Sequence, residues 1–167
     1  MSLFNLPHML YGEEIETDFR LWLRFGAVLT SPYLLPNEKE YICNRIIFKK
    51  TFTAQESADR FMAAAQFFSM GQRCISESES TQRLLDWRED LPMIWADMKL
   101  YAGIDIKTAV MHWHEFYVLF LALPPESRTM QAVGLRALNL DEIKDAKQRG
   151  IYERKKRAVA LEGSEFE

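Results

Sequence analysis

One apolar stretch constrains the fold more than any other part of the chain. It reads "TAVMHWHEFYVLFLALPP" and occupies residues 108–125. It is too long for a typical β-strand, and it ends at two consecutive prolines, which interrupt a helix. The pattern therefore predicts a largely buried helix that stops before Pro124. We expect Trp113 and Phe116 to lie about one turn apart on its buried face, as structural residues.

Capping and turn signals divide the rest of the chain into further helices. Thr53 and Glu56 form a capping box at the start of one helix, and Gly71 has the character of its C′ residue. Tyr11 and Gly12 suit the turn of a small hairpin. The polar stretch "SESESTQ" at 76–82 is the best candidate for an internal hinge. No strand–helix–strand alternation and no repeat of fixed period are present.

The fold class that follows is mainly α. We predict a single compact helical domain of about six helices over residues 1–160, with room for a small N-terminal β-hairpin. A frayed C-terminal tail is predicted for residues 161–167. The length of 167 residues matches one ordinary domain, and an apolar fraction of 48% supplies enough material for one core.

Charge and cysteine usage exclude several classes of partner. The net charge of −3 argues against a nucleic-acid binder. No signal peptide is evident, and the longest apolar run, residues 116–123, is too short to span a bilayer. Cys43 and Cys74 lack metal-site or redox spacing, so we expect two reduced thiols. These features favour an intracellular, soluble protein without a nucleic-acid or membrane partner.

The motif "HWHEF" raises the question of a metal or catalytic site. On a helix, residues i and i+2 lie about 200° apart, so His112 and His114 would face opposite ways. The helical zinc motif HExxH is absent, and no other cluster has ligand spacing. We therefore predict no metal, with one histidine bonded to a backbone carbonyl. The weaker alternative is a metal-dependent enzyme that uses His112 or His114 with Glu115.

Carboxylates near the N-terminus do not have the setting that acid–base catalysis requires. The group comprises Glu13, Glu14, Glu16 and Asp18. A catalytic acid needs a pKa raised by burial, whereas these residues lie in a polar turn beside a helix start, where negative charge suits the helix dipole. Phosphate-binding loops, GxSxG and kinase signatures are also absent. We predict a protein with no enzymatic activity, no catalytic residues, no cofactor and no small-molecule substrate.

The last predicted helix, from about Asp141 to Ala158, has a weak apolar stripe and many basic residues. The basic residues are Lys144, Lys147, Arg149, Arg154, Lys155, Lys156 and Arg157. Two acid–base pairs stand four residues apart in the favourable order, Asp145–Arg149 and Glu153–Arg157. Such a helix is usually a solvated face or a projecting end. The functional alternative is a basic arm that docks on an acidic partner, either protein or nucleic acid.

Three stretches taken together resemble a known family. They are "TDFR" at 17–20, "GIDI…HWHEF…LALP" at 103–124, and "RALNLDEIKDAK" followed by "YERKKR" at 136–157. Their order and spacing resemble the bacteriophage gene-product-fifteen family, small proteins encoded just before the tail tape-measure gene of long-tailed phages and prophages. The resemblance covers nearly the whole chain. His114 and Glu115 stand where the family tends to have a second tryptophan and a lysine.

The resemblance implies a role in phage tail morphogenesis. Gene position implies a tail assembly chaperone that binds the tape-measure protein or another tail protein in the bacterial host cytoplasm. The alternative is a structural minor tail protein that stays in the virion. On this interpretation Asp18, Arg20 and His112 are structural residues, and the seven basic residues of the last helix are the hypothetical partner-binding site. The oligomeric state stays open.

Overall fold

The structure is a computed structural model that describes residues 6–71 and 83–163. Within these ranges the chain forms a two-stranded hairpin and seven α-helices. In chain order they are β1 (Met9–Leu10), β2 (Glu13–Glu14), α1 (Phe19–Thr30), α2 (Pro36–Phe48), α3 (Ala54–Phe68), α4 (Leu91–Tyr101), α5 (Trp113–Leu121), α6 (Arg128–Ala137) and α7 (Ala146–Ala158). The predicted mainly α class is confirmed.

The predicted hairpin is confirmed at its turn. Tyr11 (φ 50°) and Gly12 (φ 75°) both adopt the left-handed conformation that a two-residue turn of this kind requires. The antiparallel register pairs Met9 with Glu14 and Leu10 with Glu13.

The helices pack in the spatial order α3, α2, α1, α5, α4, α6 and α7, which places α1 near the middle. Helix α2 packs between α3 and α1, α5 packs between α1 and α4, and α6 packs between α4 and α7. Aromatic side chains dominate the contacts around α1. The Trp113 ring stacks on Phe68 with centroids 4.7 Å apart, and its indole N–H donates to the Phe68 carbonyl at 2.9 Å. Phe19 and Phe116 stack at 4.8 Å, which joins α1 to α5.

One close approach in this aromatic core depends on a glycine. A Cβ atom added to Gly26 would lie 2.5 Å from Cδ1 of Trp87 and 2.7 Å from Cζ of Phe68. Both distances are far below van der Waals contact, so α1 can pack this closely only because residue 26 has no side chain.

The ends of α3 follow the predicted signals with one correction. Glu56 accepts a hydrogen bond from the Thr53 backbone N–H at 3.1 Å, which confirms the capping box. The left-handed C′ position is taken by Met70 (φ 55°) and not by Gly71. Gly71 follows at C″, where its N–H donates to the Gln66 carbonyl at 2.8 Å, as in a Schellman motif. The predicted hinge at 76–82 lies outside the described residues.

The last helix begins later than predicted. Leu140–Glu142 forms a single 3₁₀ turn, and α7 starts at Ala146. The Asp145 side chain accepts a hydrogen bond from the Gln148 N–H at 2.8 Å and thereby caps α7. The Asn139 side chain accepts from the Asp141 N–H within the 3₁₀ turn and does not cap α7.

The chain also stays in the domain longer than predicted. Leu161 is only 4% exposed, and the Glu162 N–H donates to the Glu89 carboxylate at 2.9 Å. A frayed tail therefore cannot begin at residue 161, and residues 164–167 lie outside the described part.

Cys43 is a free, buried thiol whose pKa burial raises to about 12, whereas Cys74 is not among the described residues.

A buried ion pair that the sequence patterns did not reveal joins α4 to α6. The Arg136 guanidinium donates to both Asp90 carboxylate oxygens, at 2.7 and 2.8 Å. It also donates to the carbonyls of Leu84 at 2.9 Å and Val159 at 2.6 Å. The side chains are 6% and 3% exposed. One arginine thus ties together two helices, the segment before α4 and the segment after α7.

Candidate functional site

The "HWHEF" motif forms the start of α5, and His112 is its N-cap residue. The ring Nδ1 of His112 accepts a hydrogen bond from the His114 backbone N–H at 3.0 Å, so Nδ1 carries no proton. Nε2 lies 2.9 Å from the Pro7 carbonyl, which can only accept, so Nε2 donates. Glu115 accepts from the His112 backbone N–H at 3.0 Å. Nδ1 and the Glu115 carboxylate therefore cap the start of α5, while Nε2 ties it to the segment before β1.

The side chain of the second histidine, His114, also makes contacts within the fold. Nε2 of His114 lies 3.0 Å from the Phe67 carbonyl, and its ring stacks on the Phe67 ring at 4.2 Å. Burial lowers the pKa of His114, which favours the neutral ring. The two histidine rings are 5.1 Å apart, so the expectation of opposite faces is wrong. That expectation placed both residues inside the helix, whereas His112 precedes it.

These contacts bear directly on the metal question. Within residues 6–71 and 83–163, no group of three or more His, Cys, Asp or Glu side chains is arranged to hold a metal ion. The absence of a metal stays a prediction. Element analysis of the purified protein tests it, and one tightly held ion per chain, lost in His112→Ala, would contradict it.

Within the described part of the chain, three of the four acidic residues near the hairpin form ion pairs with basic side chains, namely Glu13, Glu16 and Asp18. Glu13 pairs with Lys50 and with Arg60, and hydrogen bonding from Lys50 holds the pKa of Glu13 below its usual value. Asp18 caps α1 by accepting from the Arg20 N–H at 2.9 Å, and its ion pair with the Arg20 side chain lowers its pKa as well. A general acid requires the opposite shift. These carboxylates stabilise local structure.

Two of the three family-like stretches meet in space. The Trp113 N–H donates to the Thr17 carbonyl at 2.8 Å, and the Phe19 N–H donates to the Met111 carbonyl at 3.2 Å. A short antiparallel bridge therefore joins the start of α1 to the start of α5. The third stretch begins at Arg136, the arginine of the buried ion pair. All three stretches thus contribute to packing and capping in this fold.

The seven basic residues of the partner-binding hypothesis lie on or just before α7, where no residue is buried. Four of them make local contacts. Arg149 donates to the Ile143 carbonyl at 2.9 Å, so the predicted pair with Asp145 is not the contact formed. Lys156 donates to the Leu138 carbonyl at 2.8 Å. The other two contacts are Arg157 with Glu153 at 2.6 Å and Lys155 over the Tyr152 ring at 5.3 Å.

The remaining three basic residues are Lys144, Lys147 and Arg154. All three are exposed, and within the described part of the chain none of them has an ion-pair partner. The part of this surface that is available for binding is therefore smaller than the sequence indicates. It faces solvent on the outer side of a helix that packs on α6.

A groove between α1 and α4 is a feature that the sequence analysis missed. It has a volume of about 1020 Å³. Half-buried apolar side chains form its floor, among them Val28, Leu91 and Trp95. Basic side chains stand at its rim, namely Arg20, Arg24, Arg88 and Lys107. The indication of this groove in the sequence is the four-residue spacing of Arg20 and Arg24, which puts both on one side of α1.

Fold and surface together define a small, mainly helical protein with a basic outer helix and a basic-rimmed apolar groove. A family model described as "Bacteriophage Gp15 protein" matches residues 9–161. The chain therefore belongs to the bacteriophage Gp15 family and is a phage-associated protein, which confirms the resemblance. Neither the search of curated proteins nor the search of solved structures found a match. In the described part of the chain, no helix has the length and apolar character needed to cross a membrane.

Proposed function

We propose that this protein is a non-enzymatic tail assembly chaperone of a phage or prophage. It binds the tape-measure protein in the cytoplasm of the bacterial host. Family membership supports the association with phages, and the gene position that the resemblance implies supports the tape-measure partner. The single observation that carries the proposal is α7. This exposed basic helix contributes no buried residue, so a partner can engage it without disturbing the core.

The binding contribution of α7 is electrostatic. Lys144, Lys147 and Arg154 carry positive charge without local ion pairs among the described residues, so an acidic stripe on a long helical partner would complement them. Exposed charges interact through solvent, and added salt screens them. The Debye length falls from about 10 Å at 0.1 M to about 3 Å at 1 M salt. Binding through α7 should therefore weaken as salt rises.

Charge reversal with a matched control tests this proposal. The protein is co-expressed with the tape-measure protein of the same phage genome, and co-purification is measured at increasing salt. Lys147→Glu with Arg154→Glu should abolish most co-purification without lowering the melting temperature. Arg45→Glu with Arg128→Glu changes the charge equally at other exposed positions and should retain the complex. Lys156 is left intact because it caps the Leu138 carbonyl.

Each outcome has a defined meaning. Unchanged, salt-insensitive binding by the α7 double variant would remove α7 from the mechanism. Failure of the unmodified protein to bind would refute the tape-measure partner. Mass spectrometry of mature particles tests the chaperone role, since a chaperone is absent from the virion and a structural minor tail protein is present. The non-enzymatic part is supported by the lowered pKa values of Glu13 and Asp18 and by the committed nitrogens of His112 and His114.

A further inference from the structure

The α1–α4 groove is open, elongated and apolar along its floor. Helix α1 and its C-cap contribute lining residues from Phe19 to Ser31, which corresponds to about 18 Å of helix axis, or three turns. The opposite wall is formed by Leu91, Pro92 and Trp95. Leu91 and Trp95 are half-buried and Pro92 is exposed, so this wall still presents apolar surface to solvent.

Within the described ranges 6–71 and 83–163, the charge at the rim is of one sign. Four basic side chains from these ranges line the groove, and no aspartate or glutamate from them does. This differs from the chain as a whole, in which acidic residues outnumber basic residues by 24 to 21. Basic groups face each other across a low-dielectric floor, which raises the positive potential inside the groove.

Two of these basic groups are available to a ligand. Arg20 is paired with Asp18, and the Lys107 ammonium lies 3.5 Å from the Trp95 ring centroid. Arg24 on one rim and Arg88 on the other are exposed, and neither has an ion pair within residues 6–71 and 83–163. A ligand that lies in the groove would therefore meet, on each side, one guanidinium group that has no ion-pair partner among the described residues.

We infer that the α1–α4 groove binds an amphipathic helix of a partner protein whose apolar face is flanked by aspartate or glutamate. A helix about three turns long matches the length of the α1 wall, and helix-in-groove binding places an apolar face on a floor of this kind. Acidic flanks on the ligand would pair with Arg24 and Arg88 at the two rims. This site lies on α1 and α4, away from α7, and does not depend on the tape-measure protein being the partner.

Three synthetic peptides of equal length serve as probes for the full chain. The first has a leucine and phenylalanine stripe flanked by glutamates, the second has the same stripe flanked by lysines, and the third scrambles the first. Binding is measured by titration, and NMR amide shifts locate the site. The glutamate peptide should bind at least about fivefold more tightly than the lysine peptide, since each exposed charge contact contributes modestly. The scrambled peptide should not bind, and the shifts should map to α1 and residues 87–95.

Substitutions at the rim test whether Arg24 and Arg88 cause the preference for the glutamate peptide over the lysine peptide. Arg24→Glu with Arg88→Glu should reverse the preference between the two peptides, whereas Arg45→Glu with Arg128→Glu should leave it unchanged. Both double variants change only exposed side chains, so melting temperatures should match the unmodified protein. If Arg24→Glu with Arg88→Glu fails to fold, Arg24→Gln with Arg88→Gln takes its place. The glutamine variant should remove the preference between the two peptides without reversing it.

Several results would overturn the inference. They are no binding of the glutamate peptide, equal binding of both flanked peptides, or shifts outside the groove. Binding of anionic lipid vesicles in place of the peptide would assign the groove to a membrane surface. Sedimentation showing a dimer that Arg24→Glu with Arg88→Glu dissociates would assign it to a second copy of the chain. Loss of tape-measure binding in the separate co-purification experiment would refute the proposed function and leave the peptide result unaffected.

Discussion

Removal of the buried guanidinium is the most informative test of how this fold holds together. Arg136→Met retains an unbranched apolar stem but removes the guanidinium group. It therefore eliminates four hydrogen bonds, two to Asp90 and one each to the Leu84 and Val159 carbonyls. Among the described residues, the Asp90 carboxylate would keep only its hydrogen bond from the Asp86 N–H, at 3.0 Å. A charge that is 3% exposed would thus lose its counterion.

The magnitude follows from that burial. Breaking a buried ion pair by removing one partner costs about 3–5 kcal/mol, because the remaining charge stays desolvated. Domains of this kind are stable by only about 5–15 kcal/mol, so the variant should lose a large part of its stability. Urea unfolding followed by far-ultraviolet circular dichroism measures the loss. A cost below about 1 kcal/mol would refute the argument, since that value is typical of exposed pairs.

Two further variants isolate the cause. Arg157→Met breaks an exposed pair with Glu153, whose side chains are 64% and 44% exposed, and should cost less than about 1 kcal/mol. Asp90→Asn combined with Arg136→Met removes both charges, so it should be less destabilising than Arg136→Met alone. If the double variant were instead as unstable as the sum of the single variants, lost packing and not a stranded charge would be the cause.

The remaining predictions concern the core and the start of α5. Trp113→Ala should cost about 3–5 kcal/mol because the ring is fully buried, and a nearly unchanged melting temperature would contradict that placement. Gly26→Ala should cost about 1–3 kcal/mol, measured by urea unfolding, because the new methyl group collides with the Trp87 ring. Burial lowers the pKa of His114 in the folded state, so the unfolded chain binds a proton first as pH falls through about 6.5. Stability should therefore fall between pH 6.5 and the lower folded-state pKa and level off below it for this group, and the slope should be smaller in His114→Gln.

Local signals predicted the helices well but placed some of their ends wrongly. The proline pair and the capping box marked element ends because they act on backbone groups within four residues. The start of α7 was placed too early because Asn139 caps a 3₁₀ turn of its own, and Asp145 is the cap that starts the helix. Asn139 and Asp145 are both suitable capping residues, so the local pattern alone does not tell which one begins the helix.

The interpretation of "HWHEF" shows how one local error changes a geometric argument. The motif was correctly placed at an aromatic helix, and Trp113 and Phe116 are fully buried. His112, however, precedes the first helical turn, so the angle between successive helical residues does not apply to it. Its partner, the Pro7 carbonyl, lies 105 positions away in sequence. No local pattern could have identified that contact.

The sequence by itself determined the helical class, the hairpin turn, the capping box of α3 and the family, because these depend on residues close together in the chain or on motifs in a fixed order. Tertiary structure decided which charges are free and which are committed. Arg136 looked like any helical arginine until the fold brought Asp90, 46 positions away, to its guanidinium. Likewise, Arg24 and Arg88 face one groove only because α1 and the segment before α4 pack side by side, and such long-range placement depends on how whole helices share a core.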